Sequence, residues 1–176
     1  MTDLRTKVEE DRGLLKKIEL LIPGFKGYRQ REDIRAADSL LRQHLADKMN
    51  EVNNVFENCR EELSRAMELT LISDMGNILK SSRHVENRIR HAEQGYSGIS
   101  ADFRIEEAEL NAMYEWDLAL LQTIDSMNKM AGGLLDSILS SDEAVVQNMR
   151  NIKNSLNEFN SILDNRMKMI ARLEVT

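Results

Sequence analysis

The three histidines of this 176-residue chain, His44, His84 and His91, are its best candidates for metal chemistry. A di-iron helical bundle needs Glu-x-x-His on two of its helices, because that spacing places a carboxylate and an imidazole on one helix face. The residues three positions before the histidines are Leu41, Ser81 and Arg88, so the motif is absent. His84 and His91 can share a face, but no carboxylate stands in register with both. We therefore expect no bound metal and no cofactor.

The side chains that most often act as nucleophiles lack the partners that activate them. Cys59 is the only cysteine, and it stands among the apolar positions of a helical pattern, where core packing is the usual role of a cysteine. No Ser-His-Asp grouping is visible, and the chain contains no Gly-x-x-x-x-Gly-Lys loop, Gly-x-Ser-x-Gly elbow or Gly-x-Gly-x-x-Gly fingerprint. The sequence therefore predicts no catalytic residues and a protein that is not an enzyme.

Two aspartates, Asp38 and Asp117, occupy positions that the helical pattern otherwise fills with apolar residues. A buried carboxylate is unfavourable unless it is paired or hydrogen-bonded. We expect each aspartate to pair with an arginine and to fix the register of its helix. The alternative is that the two aspartates belong to a polar pocket.

The spacing of apolar residues predicts helices throughout the chain. In the longest pattern the apolar residues alternate at intervals of three and four, as in a coiled-coil seam. Its members are Ile34, Leu41, Leu45, Met49, Val52, Phe56, Cys59, Leu63 and Ala66. Comparable patterns precede residue 22 and occupy residues 75–92, 110–138 and 145–173. No strand-like alternation is present, so we expect an all-α fold: one antiparallel, up-and-down helical bundle of coiled-coil-like long helices over residues 1–176.

Loop chemistry divides this pattern into separate helices. Residues 23–28 and 94–100 combine aromatic residues with glycines, which take positive φ readily. The residue before Pro23 avoids the helical conformation, so we expect the first helix to end there. A third boundary is expected at residues 139–142, where Ser140 and a glutamate three positions later have the capping-box spacing.

The apolar pattern slips in register near residues 69–75. A tight turn at residues 70–74, with Ser73 or Asp74 capping the next helix, explains the slip. A stutter in one continuous helix also explains it. We favour the turn, because one helix over residues 29–93 would extend about 100 Å at ~1.5 Å per residue, and no other segment is long enough to cover it.

Charge and hydropathy exclude two broad classes of protein. The chain has 24 Lys and Arg against 30 Asp and Glu, a formal net charge of −6, whereas a nucleic-acid binder needs a basic face that displaces counterions. No apolar stretch approaches the ~18 residues of a membrane span. The N-terminus also lacks the apolar run of a signal peptide. We expect a cytoplasmic protein with no nucleic-acid partner and no membrane span.

Two segments carry a resemblance to a known group of proteins. The first is Ile22-Pro23-Gly24-Phe25-Lys26-Gly27-Tyr28, followed by Arg31-Glu32, Arg35, Asp38 and Arg42. The second is Gly95-Tyr96-Ser97-Gly98, followed by Glu109-Leu110 and Tyr114-Glu115-Trp116-Asp117. Together they resemble an uncharacterised family of prokaryotic, intracellular helical proteins, although Ile99 stands where a Phe is expected. The resemblance implies a helical fold and brings no known activity.

These observations favour a non-catalytic interaction or scaffold protein with a protein partner; a bundle that binds a small anionic ligand is the alternative. A homo-oligomer is compatible with both. If the second and third helices form a hairpin, both glycine-aromatic loops lie at one end, together with several cations. The candidate binding residues are Tyr28, Arg31, Arg35, Arg83, His84, Arg88, His91 and Tyr96. A purely structural explanation is also open, because helix dipoles alone favour cations near helix C-termini.

Overall fold

The described part of the chain folds into five α-helices. The computed structural model describes residues 4–27, 31–92 and 107–175, with side chains at 13–27, 36–92 and 109–170. Of the described residues, 90% are helical and none lies in a strand, which confirms the all-α prediction. The helices are α1 (Leu4–Leu21), α2 (Arg31–Arg65), α3 (Leu69–His91), α4 (Glu107–Leu139) and α5 (Val145–Val175).

The four long helices are arranged as two hairpins. α2 and α3 form one hairpin and α4 and α5 the other, while α2 packs against α4 and α1 lies along α4. Both hairpin turns, at residues 66–68 and 140–144, lie at one end, which we call the turn end. Arg88, late in α3, contacts Asn160 and Asp164 in the second half of α5, so α3 and α5 run in the same direction. α2 and α4 are therefore also parallel, as the hairpin prediction requires.

The core follows the predicted seams. Met49 and Phe56 of α2, Leu120 of α4 and Phe159 of α5 are completely inaccessible to solvent. Burying a large apolar side chain of this kind stabilises a fold by about 1.5–3 kcal/mol. Among the members of the predicted α2 seam whose side chains are described, only Ala66 is exposed, because α2 has already ended at Arg65.

The break between α2 and α3 lies at residues 66–68, earlier than the predicted turn at 70–74. The amide of Glu68 donates to the carbonyl of Leu63 at 3.0 Å, and the amide of Met67 donates to that of Ser64 at 3.1 Å. This pair of bonds is the Schellman closure of a helix, and it requires a left-handed residue. Met67 provides it at φ 59°. The predicted caps Ser73 and Asp74 are wrong, because both lie inside α3.

The turn between α4 and α5 repeats this geometry. Ser141 takes φ 52°, and the amide of Asp142 donates to the carbonyl of Ser137 at 2.9 Å. The predicted capping role of Ser140 is wrong, because its hydroxyl donates back to the carbonyl of Asp136. Asp142 caps the next helix instead, since its Oδ1 accepts the amide of Ala144 at 2.8 Å.

The segment after α1 is fixed against α4. α1 ends at Leu21, close to the boundary that Pro23 predicts. Gly27 has φ 80°, and a Cβ there would lie 2.5 Å from the hydroxyl of Tyr114. Only glycine therefore permits this close approach. The second glycine-aromatic loop, 94–100, lies outside the described residues, so its predicted meeting with the first stays a prediction.

Candidate functional site

Four charged side chains form a buried cluster between α2, α4 and α5. The Nε of Arg166 donates to Asp117 at 2.5 Å, and its Nη1 donates to Asp38 at 2.7 Å. Arg42 donates its Nε to the second oxygen of Asp38 at 2.6 Å. All four residues are at least 93% inaccessible to solvent. The carboxylates are thus paired with guanidiniums in a site closed to solvent.

This arrangement matches the structural expectation for both aspartates, because each is buried and paired with an arginine. Asp38 and Asp117 share Arg166, so one side chain ties α5 to two other helices. Arg166 was expected among the cations at one end of the bundle but was not identified from the sequence as the partner of these aspartates. A signal for it existed: the apolar spacing of α5 skips one position between Leu163 and Ile170, and that position is 166. The two segments that carry the family resemblance meet in this cluster, through Asp38 and Asp117.

The candidate binding residues that the structure describes do not form one site. Arg83 pairs with Glu57 of α2, whereas Arg88 binds Asn160 and Asp164 of α5, so the two arginines lie on different faces of α3.

His84 lies on the α5-facing side of α3, and His91 is exposed near the end of that helix. Tyr28 and Tyr96 lie outside the described residues, as do the side chains of Arg31 and Arg35.

An open groove of about 750 Å³ runs between α3 and α5. Its floor is apolar, because Ile78, Met149 and Leu156 lie at its base and are at least 95% inaccessible to solvent. Its sides are mostly polar. Asn77, Ser81, His84, Asn157 and Asn160 are among the polar residues that border it. These polar side chains do not interdigitate as apolar side chains do, so the groove between α3 and α5 stays open.

The groove is cationic although the protein is acidic. Lys80 of α3 and Arg150 and Lys153 of α5 border it, and Asp74 is the only acidic residue among those that do. Within the described part of the chain, none of these three cations forms an ion pair. Arg83, Arg88 and Arg90, by contrast, are all paired with carboxylates. The groove therefore presents unpaired positive charge beside an apolar floor.

Two smaller pockets lack this combination. One of about 360 Å³ between α4 and α5 is bordered by Met130, Glu158 and uncharged polar residues, and none of the described residues around it is a cation. The other, of about 180 Å³ between α2 and α3, includes Arg42 and Arg90. Arg42 already pairs with Asp38, and Arg90 already pairs with Asp47 and Glu86.

The remaining titratable residues of interest are remote from the groove. Burial raises the pKa of the Cys59 thiol to about 12, so it is protonated and unreactive at neutral pH. Burial, assisted by the charge of Lys48, lowers the pKa of His44. Among the described residues, no group of three or more His, Cys, Asp or Glu side chains is placed to hold a metal ion.

The groove was missed by the sequence analysis because helical periodicity does not say which helices face each other. Within the described helices, none combines the length and apolarity needed to cross a membrane. No family model, curated protein or solved structure matches this chain.

Proposed function

We propose that this chain is a non-catalytic interaction protein that binds one helix of a protein partner in the groove between α3 and α5. The observation that carries the proposal is the groove itself, in which an apolar floor lies beside unpaired cations. An amphipathic helix that also carries carboxylates complements both features, since helices bind proteins by laying an apolar face into such a groove.

The dimensions of the groove suit a helix. It extends from Leu71 to His84 along α3 and from Val146 to Asn160 along α5, which is roughly 20 Å at ~1.5 Å per residue, so a helix of about 14 residues would span it. Parallel helices such as α3 and α5 leave room for a third helix when few side chains interdigitate between them.

A small anionic ligand is the weaker candidate. Such a ligand would engage Lys80, Arg150 and Lys153 but would leave the apolar floor in contact with water. Burial of that floor by an apolar helix face adds about 25 cal/mol for each Å² removed from water. A protein helix therefore covers both the cations and the apolar floor of the groove, whereas a small anion contacts the cations alone.

The proposal can be tested by selecting binders from a displayed library of random peptides with helix-forming backbones. Ser81 borders the groove and is exposed, so Ser81→Trp should fill the groove without disturbing the core. Gln122→Trp is the matched control, because Gln122 is exposed and borders the separate pocket between α4 and α5.

We expect enriched peptides that become helical on binding, that lose at least about tenfold in affinity for the Ser81→Trp variant and that still bind the Gln122→Trp variant. Circular dichroism of both variants verifies their folding. Enrichment of peptides that bind all three proteins equally would contradict the proposal, as would a failure to enrich any helical peptide.

A further inference from the structure

We infer that the partner helix runs antiparallel to α3 and α5, with carboxylates in its N-terminal half and apolar residues in its C-terminal half. This inference rests on the proposed function and deepens it, because it specifies the chemistry and the direction of the bound helix. It depends on two independent observations: the distribution of side chains along the groove, and the shared direction of the two helices that form it.

The groove differs from one half to the other. Its half near the turn end contains Leu71, Val146 and Met149, together with Asp74 and Arg150, whose charges are opposite. Val146 is 45% exposed there although it is apolar. Apolar side chains of a partner therefore find matching surface in this half, and Asp74 repels a carboxylate.

The apolar character continues beyond the groove at the turn end. Met67, Leu69 and Leu139 are 83%, 78% and 61% exposed, and all three stand at or beside the two hairpin turns. Exposed apolar side chains are therefore available at the end of the molecule where the groove begins. A helix that leaves the groove at this end can extend its apolar face over these residues.

The other half of the groove carries net positive charge. Lys80 borders it, Lys153 stands where the two halves meet, and none of the described residues that line this half is acidic. Carboxylates of a partner at intervals of three or four residues would face these side chains along one helix face. The acidic half of the partner is therefore assigned to this half of the groove.

The helix dipoles fix the direction. α3 and α5 both begin at the turn end, so the positive ends of their dipoles lie there together. A bound helix is favoured when its own negative, C-terminal end lies at that end. Its N-terminus then lies over the cationic half, and carboxylates are intrinsically favoured in the first turns of a helix. Direction and side-chain chemistry thus agree.

Three synthetic peptides of about 14 residues test this inference by fluorescence anisotropy. The first has Glu on one face of its N-terminal half and Leu on the same face of its C-terminal half. The second has the same residues in reverse order. The third has Lys in place of each Glu. We expect the first to bind at least about tenfold more tightly than either of the others.

Charge reversal in the protein gives the reciprocal test. Lys80→Glu combined with Lys153→Glu should weaken binding of the first peptide by at least about tenfold. Lys17→Glu combined with Lys129→Glu is the matched control, because those lysines are exposed, lie outside the groove and give the same change in net charge. The control should bind as the unmodified protein does.

The direction is measured with a spin label on Val146→Cys in a Cys59→Ala background. Val146 borders the turn-end half of the groove. The label should broaden the NMR signals of the C-terminal residues of the peptide and leave its N-terminal residues sharp. Broadening of the N-terminal residues would overturn the inferred direction.

The remaining outcomes separate the inference from the function. Library peptides that are blocked by Ser81→Trp but carry no acidic N-terminal half would overturn the inference and leave the proposed function standing. Loss of both library binding and the Ser81→Trp effect would overturn the two together. A dimer of the unmodified chain that dissociates on Lys80→Glu would place a second copy in the groove and overturn the inference.

Discussion

Arg166 is the residue on which the buried cluster depends. It is 2% exposed and donates to two carboxylates on two other helices. An ion pair taken out of water adds little net stability by itself, yet removing one member leaves an uncompensated charge in the interior. The cluster is therefore better understood as fixing how the helices align than as a source of stability.

Replacing Arg166 with Met should lower the free energy of unfolding by about 3–5 kcal/mol, because Asp117 and Asp38 both lose the guanidinium of Arg166 in a buried site. Urea denaturation followed by circular dichroism measures the change. Lys168→Met, at an exposed position two residues away, should stay within about 0.5 kcal/mol of the unmodified protein. Equal effects of the two substitutions would contradict the structural role given to Arg166.

Cys59 provides a second test at this scale. With a pKa of about 12 in place of the ordinary 9.0, its thiolate fraction at pH 8 is about a thousandfold below that of an unperturbed thiol. Reaction with iodoacetamide should be slower by that factor in the folded protein. Its rate should rise about tenfold per pH unit up to pH 12 while the fold persists. A rate at pH 8 near that of a free thiol would show that Cys59 is accessible in the folded state.

At the scale of the helices, both hairpin turns use residues that are unfavourable in the left-handed conformation. Met67 and Ser141 adopt positive φ at the position where glycine is the usual choice. The turns are therefore specified by the packing of the helices that they join and not by turn chemistry. The absence of a glycine there also explains why the turn after α2 is displaced from its predicted position.

Met67→Gly should raise the free energy of unfolding by about 0.5–1 kcal/mol, because glycine adopts positive φ without steric strain. Thermal and urea unfolding measure the change. Met67→Ala is the matched control: the side chain is already 83% exposed, so its removal costs little, and alanine keeps the strain. An equal gain from alanine would mean that loss of the exposed methionine, and not backbone conformation, is responsible.

For the whole molecule, the sequence predicts the helical content and most of the core. Apolar residues at intervals of three and four lie on one face of a helix, and that face is the one that is buried. The sequence also predicts that Asp38 and Asp117 need partners. The sequence does not identify the groove. In the sequence, Lys80 and Lys153 look like any lysine on the polar face of a helix, and only the packing of α3 beside α5 brings them together. Charge pairs across helices, such as that of Arg88 with Asp164, are hidden for the same reason.

The distribution of charge over the molecule favours the proposed mode of binding. A chain with a net charge of −6 repels acidic molecules at long range, whereas the groove attracts them locally. At an ionic strength of about 0.15 M, charges more than roughly 8 Å apart are largely screened. A partner carboxylate close to Lys80 and Lys153 therefore interacts mainly with the groove and only weakly with the acidic surface elsewhere.

The buried cluster also has a consequence for the order of folding. Asp38 and Arg166 stand 128 positions apart in the chain, whereas each hairpin joins helices that are adjacent in sequence. The hairpins can form early from local contacts, and the pair of Arg166 with Asp117 lies within the second hairpin, but the pair of Arg166 with Asp38 can close only after the two hairpins have docked. Interactions that form after the transition state leave the folding rate nearly unchanged and slow unfolding. Arg166 thus lowers the rate at which the folded bundle unfolds.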